Sequence, residues 1–324
     1  MKCVMMIASN YGMQCFEAVY KIPCVCIIGV ITTKEFYELR YDGGKKIKHM
    51  QNQIYHVISE RCKELEVPLY SIIKMNEECT IQKLKEWNPE LIIVSGWYHL
   101  IGKKILGIPK MGVIGLHPSL LPKYRGGAPL VWQMINAEKY AGITLFYMDS
   151  GVDSGDIIGQ ESVEIEYGDT IGSLYDKVGK KGIELLEKYI PQIKKCCAPR
   201  VKQKELRTED IWMQRTPEDG HINWDCTSRQ LYDFIRAQTN PYPGAFTVYE
   251  GKEYTIWKSE IVPCKMHHYE PGTIIKFESV DGFCSCIVAS KDRTTAIKLV
   301  DFQIRDNLLK TENLLMFENG KKFY

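Results

Sequence analysis

Two stretches of the chain combine residue types that can move protons. The first is Gly112-Val113-Ile114-Gly115-Leu116-His117-Pro118-Ser119-Leu120-Leu121-Pro122-Lys123-Tyr124-Arg125-Gly126-Gly127-Ala128-Pro129-Leu130. A strand pattern ends there, a histidine follows at its carboxyl edge, and a Pro/Gly-rich loop leads away. An imidazole titrates close to neutral pH, so a histidine in this place suits a general base. It equally suits a structural histidine whose ring bonds a loop carbonyl, although binding residues favour loops at strand ends. The second stretch is Met148-Asp149-Ser150-Gly151-Val152-Asp153-Ser154-Gly155-Asp156, again directly after a strand pattern. Its three carboxylates, spaced by glycines, make a tight loop. Ordinary turn chemistry is one reading of it. A calcium loop is another, although the distal Glu of an EF-hand is missing. With His117 in a neighbouring loop, an Asp–His pair is the third: the carboxylate orients the ring and raises its basicity.

Other candidates carry less. Cys264-x-x-His267 has plausible ligand spacing, but no second pair stands near it and no C-x-x-C occurs, so no metal is expected. The chain has 12 cysteines. Cys3, Cys24, Cys26 and Cys286 lie inside apolar strand-like runs, where a free thiol acts as a small hydrophobe. A reducing cytoplasm is their simplest home. The turn Ser9-Asn10-Tyr11-Gly12-Met13 is not G-x-G-x-x-G, and no Walker loop is present, so dinucleotide binding and P-loop phosphoryl transfer lose their support. His49, His56, His221 and the pair His267-His268 read as surface or structural residues. Trp224, Trp257 and Tyr254 read as core or interface aromatics rather than platforms for stacked bases.

These loops must be positioned by the elements around them. Strand patterns cover Cys3 to Ala8, Cys24 to Ile31, Val67 to Tyr70, Leu91 to Ser95, Gly112 to Leu116, Thr144 to Met148 and Ile157 to Val163. Helical patterns cover Tyr11 to Tyr20, Lys46 to Leu65, Glu77 to Trp87, Leu130 to Asn136 and Thr170 to Tyr189. Such alternation predicts an α/β fold, an open and mostly parallel Rossmann-like sheet with helices on both faces. Ligands then bind outside the carboxyl ends of the strands, which singles out the loops after Ser95, Leu116 and Met148. Lys and Arg cluster between Lys194 and Glu209. Beyond them Thr227-Ser228-Arg229-Gln230 is a capping box, followed by Leu231, Phe234 and Ile235 on one helical face and a stop at Pro241-Tyr242-Pro243-Gly244. Short strands from Phe246 to Tyr249, Tyr254 to Trp257, Gly272 to Phe277, Cys284 to Val288 and Thr295 to Val300 predict a smaller β-rich, OB-like C-terminal domain. The expected division is 1–195, a linker over 196–220, and 221–324.

The chain has 324 residues, 45% apolar and 25% charged, with a formal net charge of +2. This is an ordinary globular balance without a general pull toward nucleic acid or anionic lipid. No apolar run approaches the roughly 20 residues of a spanning helix. The opening Met1-Lys2-Cys3-Val4-Met5-Met6-Ile7 reads as a buried strand rather than a signal-peptide core.

Leu116-His117-Pro118-Ser119-Leu120-Leu121-Pro122-Lys123-Tyr124-Arg125-Gly126, taken with Asp149-Ser150-Gly151-Val152-Asp153-Ser154-Gly155-Asp156, closely resembles the 10-formyltetrahydrofolate-dependent formyltransferase family. Arg215-Thr216-Pro217-Glu218-Asp219-Gly220-His221-Ile222-Asn223-Trp224, Ile235-Arg236-Ala237 and Asn240-Pro241-Tyr242-Pro243-Gly244-Ala245-Phe246-Thr247 resemble the linker and the start of that family's C-terminal domain. The resemblance implies an enzyme that transfers a formyl group from 10-formyltetrahydrofolate to an amine. His117 would be the catalytic base and Asp153 the carboxylate that raises its pKa. His99, Leu100 and Ile101 would line the pterin pocket, and the loop Asp149, Ser150, Gly151, Val152 and Asp153 would bond the pterin edge through its backbone. One position departs. The family pattern usually has Asn two residues before the histidine, as a donor to the oxyanion, and this chain has Gly115. Losing one such donor costs roughly 2.7–4 kcal/mol of transition-state stabilisation. A backbone N–H, a water in the vacated space or protonated His117 are the candidates to replace it.

For the amine, the resemblance points to an amino sugar on a nucleotide carrier, with methionyl-tRNA as the alternative and a non-catalytic folate-binding relative behind both. Pro129-Leu130-Val131-Trp132 and Gly96-Trp97-Tyr98-His99-Leu100-Ile101 are more similar to sugar formyltransferases. The tRNA enzymes carry a basic, glycine-containing loop after the second strand, whereas Thr32-Thr33-Lys34-Glu35-Phe36-Tyr37-Glu38-Leu39-Arg40 mixes signs. A domain that grips tRNA should also be basic, and from Val201 onward there are 17 basic and 18 acidic residues. No nucleic-acid partner and no membrane are therefore expected, and a homodimer is, since sugar formyltransferases commonly pair.

Overall fold

The structure is a computed structural model that describes residues 1–41, 46–204, 211–265, 269–280, 283–305 and 317–324. His267 and His268 lie outside the described residues. Contacts divide the chain into two units. The first comprises Met1–Gly126, Gly142–Val163 and Val178–Ile211. The second comprises Gly127–Ala141, Glu164–Lys177 and Trp212–Tyr324.

The chain begins β1 (Lys2–Ile7), α1 (Asn10–Tyr20), β2 (Cys26–Thr33), β3 (Phe36–Tyr41), β4 (Lys46–Gln51), α2 (Tyr55–Glu64) and β5 (Leu69–Ile72). It continues with α3 (Glu78–Trp87), β6 (Leu91–Ser95), α4 (Lys103–Leu106), β7 (Val113–His117), α5 (Pro129–Ile135), β8 (Tyr140–Tyr147), β9 (Ile157–Glu164) and α6 (Ile171–Lys194). A seven-stranded sheet has the order β5-β2-β1-β6-β7-β8-β9. Pairing is parallel from β5 through β7. Five of six residues in β1 and all five in β6 are buried, as befits central parallel strands covered on both faces. This is the mostly parallel, Rossmann-like sheet that the alternation of elements predicts.

Strand β8 turns antiparallel to β7, with His117 opposite Thr144 and Ile114 opposite Tyr147. The acidic loop therefore starts beside the first residues of β7, where Met148 N–H donates to the Val113 carbonyl at 2.8 Å. The strand-end rule alone would have placed it elsewhere. The helix expected over Lys46 to Leu65 is also corrected. Lys46–Gln51 is strand β4, paired with β3 in an antiparallel hairpin, and the helix begins only at Tyr55. Lys-Ile-Lys-His-Met-Gln alternates with period two, a strand pattern that the longer helical window absorbed. Asn52, 3% exposed, ties the hairpin back to β2 by donating to Thr32 Oγ1 at 3.2 Å and Thr33 Oγ1 at 3.0 Å.

In the second unit, the predicted capping box opens α7 (Ser228–Arg236). Thr227 Oγ1 accepts from Gln230 N–H and Gln230 Oε1 accepts from Thr227 N–H. The strands β10 (Ala245–Tyr249), β11 (Lys252–Pro263), β12 (Ile274–Val280), β13 (Phe283–Ala289) and β14 (Thr295–Ile304) form one antiparallel sheet in the order β10-β11-β14-β13-β12. Phe317 and Phe323 from the end of the chain are buried in its core with Trp224, Tyr249 and Tyr254.

Cys3 and Cys286 are buried, and burial pushes each thiol up to about 12. Cys24 is only half-buried and Cys26 is exposed, because β2 starts at the sheet's margin rather than within it. Among the described residues no helix is long and apolar enough to cross a membrane, and no group of three or more His, Cys, Asp or Glu converges as a metal site.

Candidate active site

His117 is the last residue of β7 and is buried. The loop that follows is tied down by backbone and side-chain bonds within the first unit. Thr144 Oγ1 on β8 donates to the Ser119 carbonyl at 2.6 Å and accepts from Leu121 N–H at 3.1 Å. Gln160 on β9 donates to the Leu121 carbonyl at 2.8 Å. The loop then returns the Tyr124 carbonyl to within 2.8 Å of His117 Nε2. A carbonyl oxygen can only accept, so Nε2 carries the proton and, in the neutral ring, Nδ1 carries the lone pair. Nδ1 stands 3.4 Å from Asp153 Oδ2.

The three acidic residues of the second motif have three different partners. Asp149 Oδ1 accepts from Gly151 N–H at 3.0 Å and from Ser154 Oγ at 2.7 Å, the turn chemistry that its spacing also allowed. Asp156 faces Arg200 at 3.4 Å. Asp153 alone faces His117, and its Oδ2 also accepts from Gly126 N–H at 2.9 Å. They do not converge as the ligands of one ion would. Asp153 has φ +49°, in the left-handed region that side chains other than Gly, Asn and Asp seldom adopt. Gly155 cannot be replaced without moving the strand before it, since a Cβ there would lie 1.7 Å from the Tyr147 carbonyl oxygen.

Gly115 pairs with Val94 on β6 and with Phe146 on β8. The space beside it is not open: a Cβ would stand 3.1 Å from Met148 Sδ. A thioether fills the place expected for a replacement water.

After β6 the chain turns at Gly96, whose φ is +56° and whose Cβ would collide with Ser9 Oγ, the N-cap of α1. This turn presents Trp97 and His99 with ring centroids 5.5 Å apart. Tyr37, on β3, stands 5.8 Å from His99. Burial holds the His99 imidazole below its ordinary value, hence uncharged at neutral pH. Trp97 Nε1 and His99 Nε2 are buried with no partner among the described residues. Two unpartnered ring nitrogens beside aromatic faces fit a flat heteroaromatic group with hydrogen-bonding edges, as a pterin is. Ile101 is buried in the core beneath, whereas Leu100 is 79% exposed and Val152 lies at the surface too. Asn76 clips this stretch by donating to the Leu100 carbonyl and accepting from Gly102 N–H at 2.7 Å. Ser150 is exposed in its loop, and Gly151 N–H is taken by Asp149.

Comparison with known proteins gives two family matches, Formyl transferase over residues 25–190 and Formyl transferase, C-terminal domain, over residues 215–312. The chain is 32% identical to a methionyl-tRNA formyltransferase of Halothermothrix orenii over 310 residues, 94% of this chain and 92% of the relative. It is 39% identical to the methionyl-tRNA formyltransferase of Caldanaerobacter subterraneus subsp. tengcongensis over 206 residues, 63% of this chain and 65% of that one. Its fold is similar to that of a 4-N formyltransferase from Francisella tularensis, with TM-score 0.62 and 22% identity over 78% of this chain and 94% of the other. That likeness speaks for fold alone. The two relatives correct the expected amino-sugar substrate, and with it the expected absence of a nucleic-acid partner. Short resemblances such as Pro129–Trp132 carried that expectation, and similarity over nearly the whole chain outweighs them. The charge reading failed as well, because it stopped at Arg40. The next residues, Tyr41-Asp42-Gly43-Gly44-Lys45-Lys46-Ile47-Lys48, are the basic, glycine-containing stretch it sought.

Proposed function

The chain belongs to the formyl transferase family, and on that premise we propose that it is a methionyl-tRNA formyltransferase whose formyl donor is 10-formyltetrahydrofolate. The similarity to enzymes of that name over 94% of the chain carries this reading. The run of Arg40, Lys45, Lys46 and Lys48 against Asp42 alone supports it, since phosphate neutralisation supplies most of the affinity for a polynucleotide. Such a reaction belongs to the cytoplasm, in keeping with the many free thiols.

In this reading His117 and Asp153 act as a pair. The uncharged α-amine of the esterified methionine attacks the formyl carbon. A nitrogen–carbon bond forms there as the bond from that carbon to the folate nitrogen breaks. His117 Nδ1 takes the proton lost by the amine and returns it to the departing folate nitrogen. Before the transfer a lone pair and a carboxylate face each other at 3.4 Å. After it the protonated ring and the carboxylate form an ion pair across that same gap. The Nε2–H bond to Tyr124 keeps the ring in the required tautomer. Trp97, His99 and Tyr37 supply the faces and edges that hold the pterin.

An assay with 10-formyltetrahydrofolate and either methionyl-tRNA or a panel of nucleotide-linked amino sugars tests this. Formyl-methionyl-tRNA is the expected product. Turnover of an amino sugar with none of methionyl-tRNA overturns the substrate, and folate binding without turnover of any amine overturns the enzyme.

A further inference from the structure

Asp153 is held in a left-handed backbone conformation, and such a conformation persists only where its surroundings fix it. Its main support comes from a segment that the sequence reads as linker. Gln203 Nε2 donates to the Asp153 carbonyl at 2.9 Å and to the Gly155 carbonyl at 2.7 Å. Gln203 Oε1 accepts from Arg125 Nε at 3.1 Å and Nη2 at 2.7 Å. Both protons and both lone pairs of this one amide are thereby used. Arg125 is 6% exposed, and its Nη2 also donates to the Lys204 carbonyl at 3.2 Å. The next residue along the chain, Gly126, donates its N–H to Asp153 Oδ2.

A closed ring results. It runs from the Asp153 carbonyl through the Gln203 amide to Arg125, along the chain to Gly126, and back to the Asp153 carboxylate. We infer that Gln203 is a positioning residue, which clamps the Asp153 turn to the Arg125–Gly126 turn and so holds the carboxylate against His117. This inference rests on the reading of His117 and Asp153 as the reacting pair. A carboxamide suits the task because it alone offers donors to two carbonyls and acceptors to a guanidinium from one planar group. Misplacing a catalytic group by about 1 Å can cost 10²-fold in rate.

Two variants separate the clamp from mere packing. Gln203→Ala removes all four bonds. Gln203→Glu keeps size and acceptors for Arg125 but presents oxygen, not N–H, to the Asp153 and Gly155 carbonyls. Both are expected to lower kcat by about 10- to 100-fold and to change the shape of the pH–kcat profile. KM for the formyl donor should stay within about threefold and the melting temperature of Gln203→Glu near that of the wild type. In substrate-free protein, the ¹⁵N signals of the His117 ring should move in both variants. Wild-type kcat with unmoved His117 signals would overturn the clamp. So would a kcat that falls only as the melting temperature falls, with an unchanged pH profile. If the wild type formylates no amine, the reading of the function fails on its own, and the His117 signals still decide the clamp.

Discussion

The thioether of Met148 lies where a side chain on Gly115 would have to go. A Cβ at residue 115 would stand 3.1 Å from Met148 Sδ, 3.3 Å from its Cγ and 3.5 Å from Phe146 Cε1. The backbone of Gly115 is not in the left-handed region, so a larger residue is opposed by packing, with the Met148 side chain closest. Gly115→Asn is therefore expected to fold with a loss of about 1–3 kcal/mol, the usual range for overpacking. In the double variant Gly115→Asn, Met148→Ala the amide gains room to meet the oxyanion. Its kcat should exceed that of the wild type, by at most the 10²–10³-fold that one oxyanion donor supplies. Steady-state kinetics and thermal melts of the two variants check this, and a double variant no faster than the wild type refutes an oxyanion role at this position.

The two nitrogens of His117 have distinct partners, Tyr124 at Nε2 and Asp153 at Nδ1, and so distinct consequences follow from removing either group. His117→Asn removes the proton acceptor. It should lower kcat by about 10²–10⁴-fold, the span of general base catalysis, while leaving the affinity for the formyl donor within a few-fold. Asp153→Asn keeps an oxygen for Gly126 N–H but loses the charge facing Nδ1. It should lower kcat at neutral pH by a smaller factor and alter the pH–rate profile. Titration calorimetry with a non-transferring folate analogue, beside turnover, separates binding from chemistry. Wild-type turnover in His117→Asn removes the histidine from the mechanism.

His117 and Asp153 stood out in the sequence because one ends an apolar strand just before a Pro/Gly-rich loop and the other lies in an Asp/Gly-rich loop after an apolar strand. The parallel strands were legible for the same reason, since buried central strands read as continuous apolar runs. Gln203 was not. A single glutamine in a stretch of lysines and arginines has no periodicity, and its significance lies wholly in which carbonyls fold against it. Tyr37 was passed over because the stretch after β2 was read only for its charge, while β4, the other half of its hairpin, was swallowed by a helical window. The reversal of β8 left no trace either, because strand direction is set by connection geometry and not by composition. The substrate was misread through short local resemblances such as Pro129–Trp132, and through a charge reading that stopped at Arg40, just before Lys45, Lys46 and Lys48.

His99 supplies a pH test. Burial holds its imidazole below the ordinary value of 6.5, while in the unfolded chain it titrates normally. As pH falls through 6.5 the unfolded state takes up a proton before the folded state does. Stability is thus lost below pH 6.5 and is unaffected by this group above it. His99→Gln lacks the linkage. Urea melts of both proteins between pH 5 and pH 8 should show a stability difference that is constant at the upper end and moves against the wild type below about 6.5. A difference independent of pH would mean that His99 is not kept neutral by burial.

The proposed tRNA substrate predicts a dependence on salt that an amino-sugar nucleotide does not. The C-terminal part of the chain is close to neutral, with 17 basic and 18 acidic residues from Val201 onward. Cation release on binding must then come chiefly from local clusters, and Arg40, Lys45, Lys46 and Lys48 form one in the sequence. KM for methionyl-tRNA should rise steeply with salt on a log–log scale, by about 0.7–0.9 in slope for each phosphate neutralised. Lys46→Ala with Lys48→Ala should raise that KM at low salt and reduce the slope by about one for each lysine that meets a phosphate. KM for 10-formyltetrahydrofolate should be unchanged. A slope unaltered by the double substitution would show that this stretch does not touch the tRNA backbone and that the C-terminal sheet or another surface must do so.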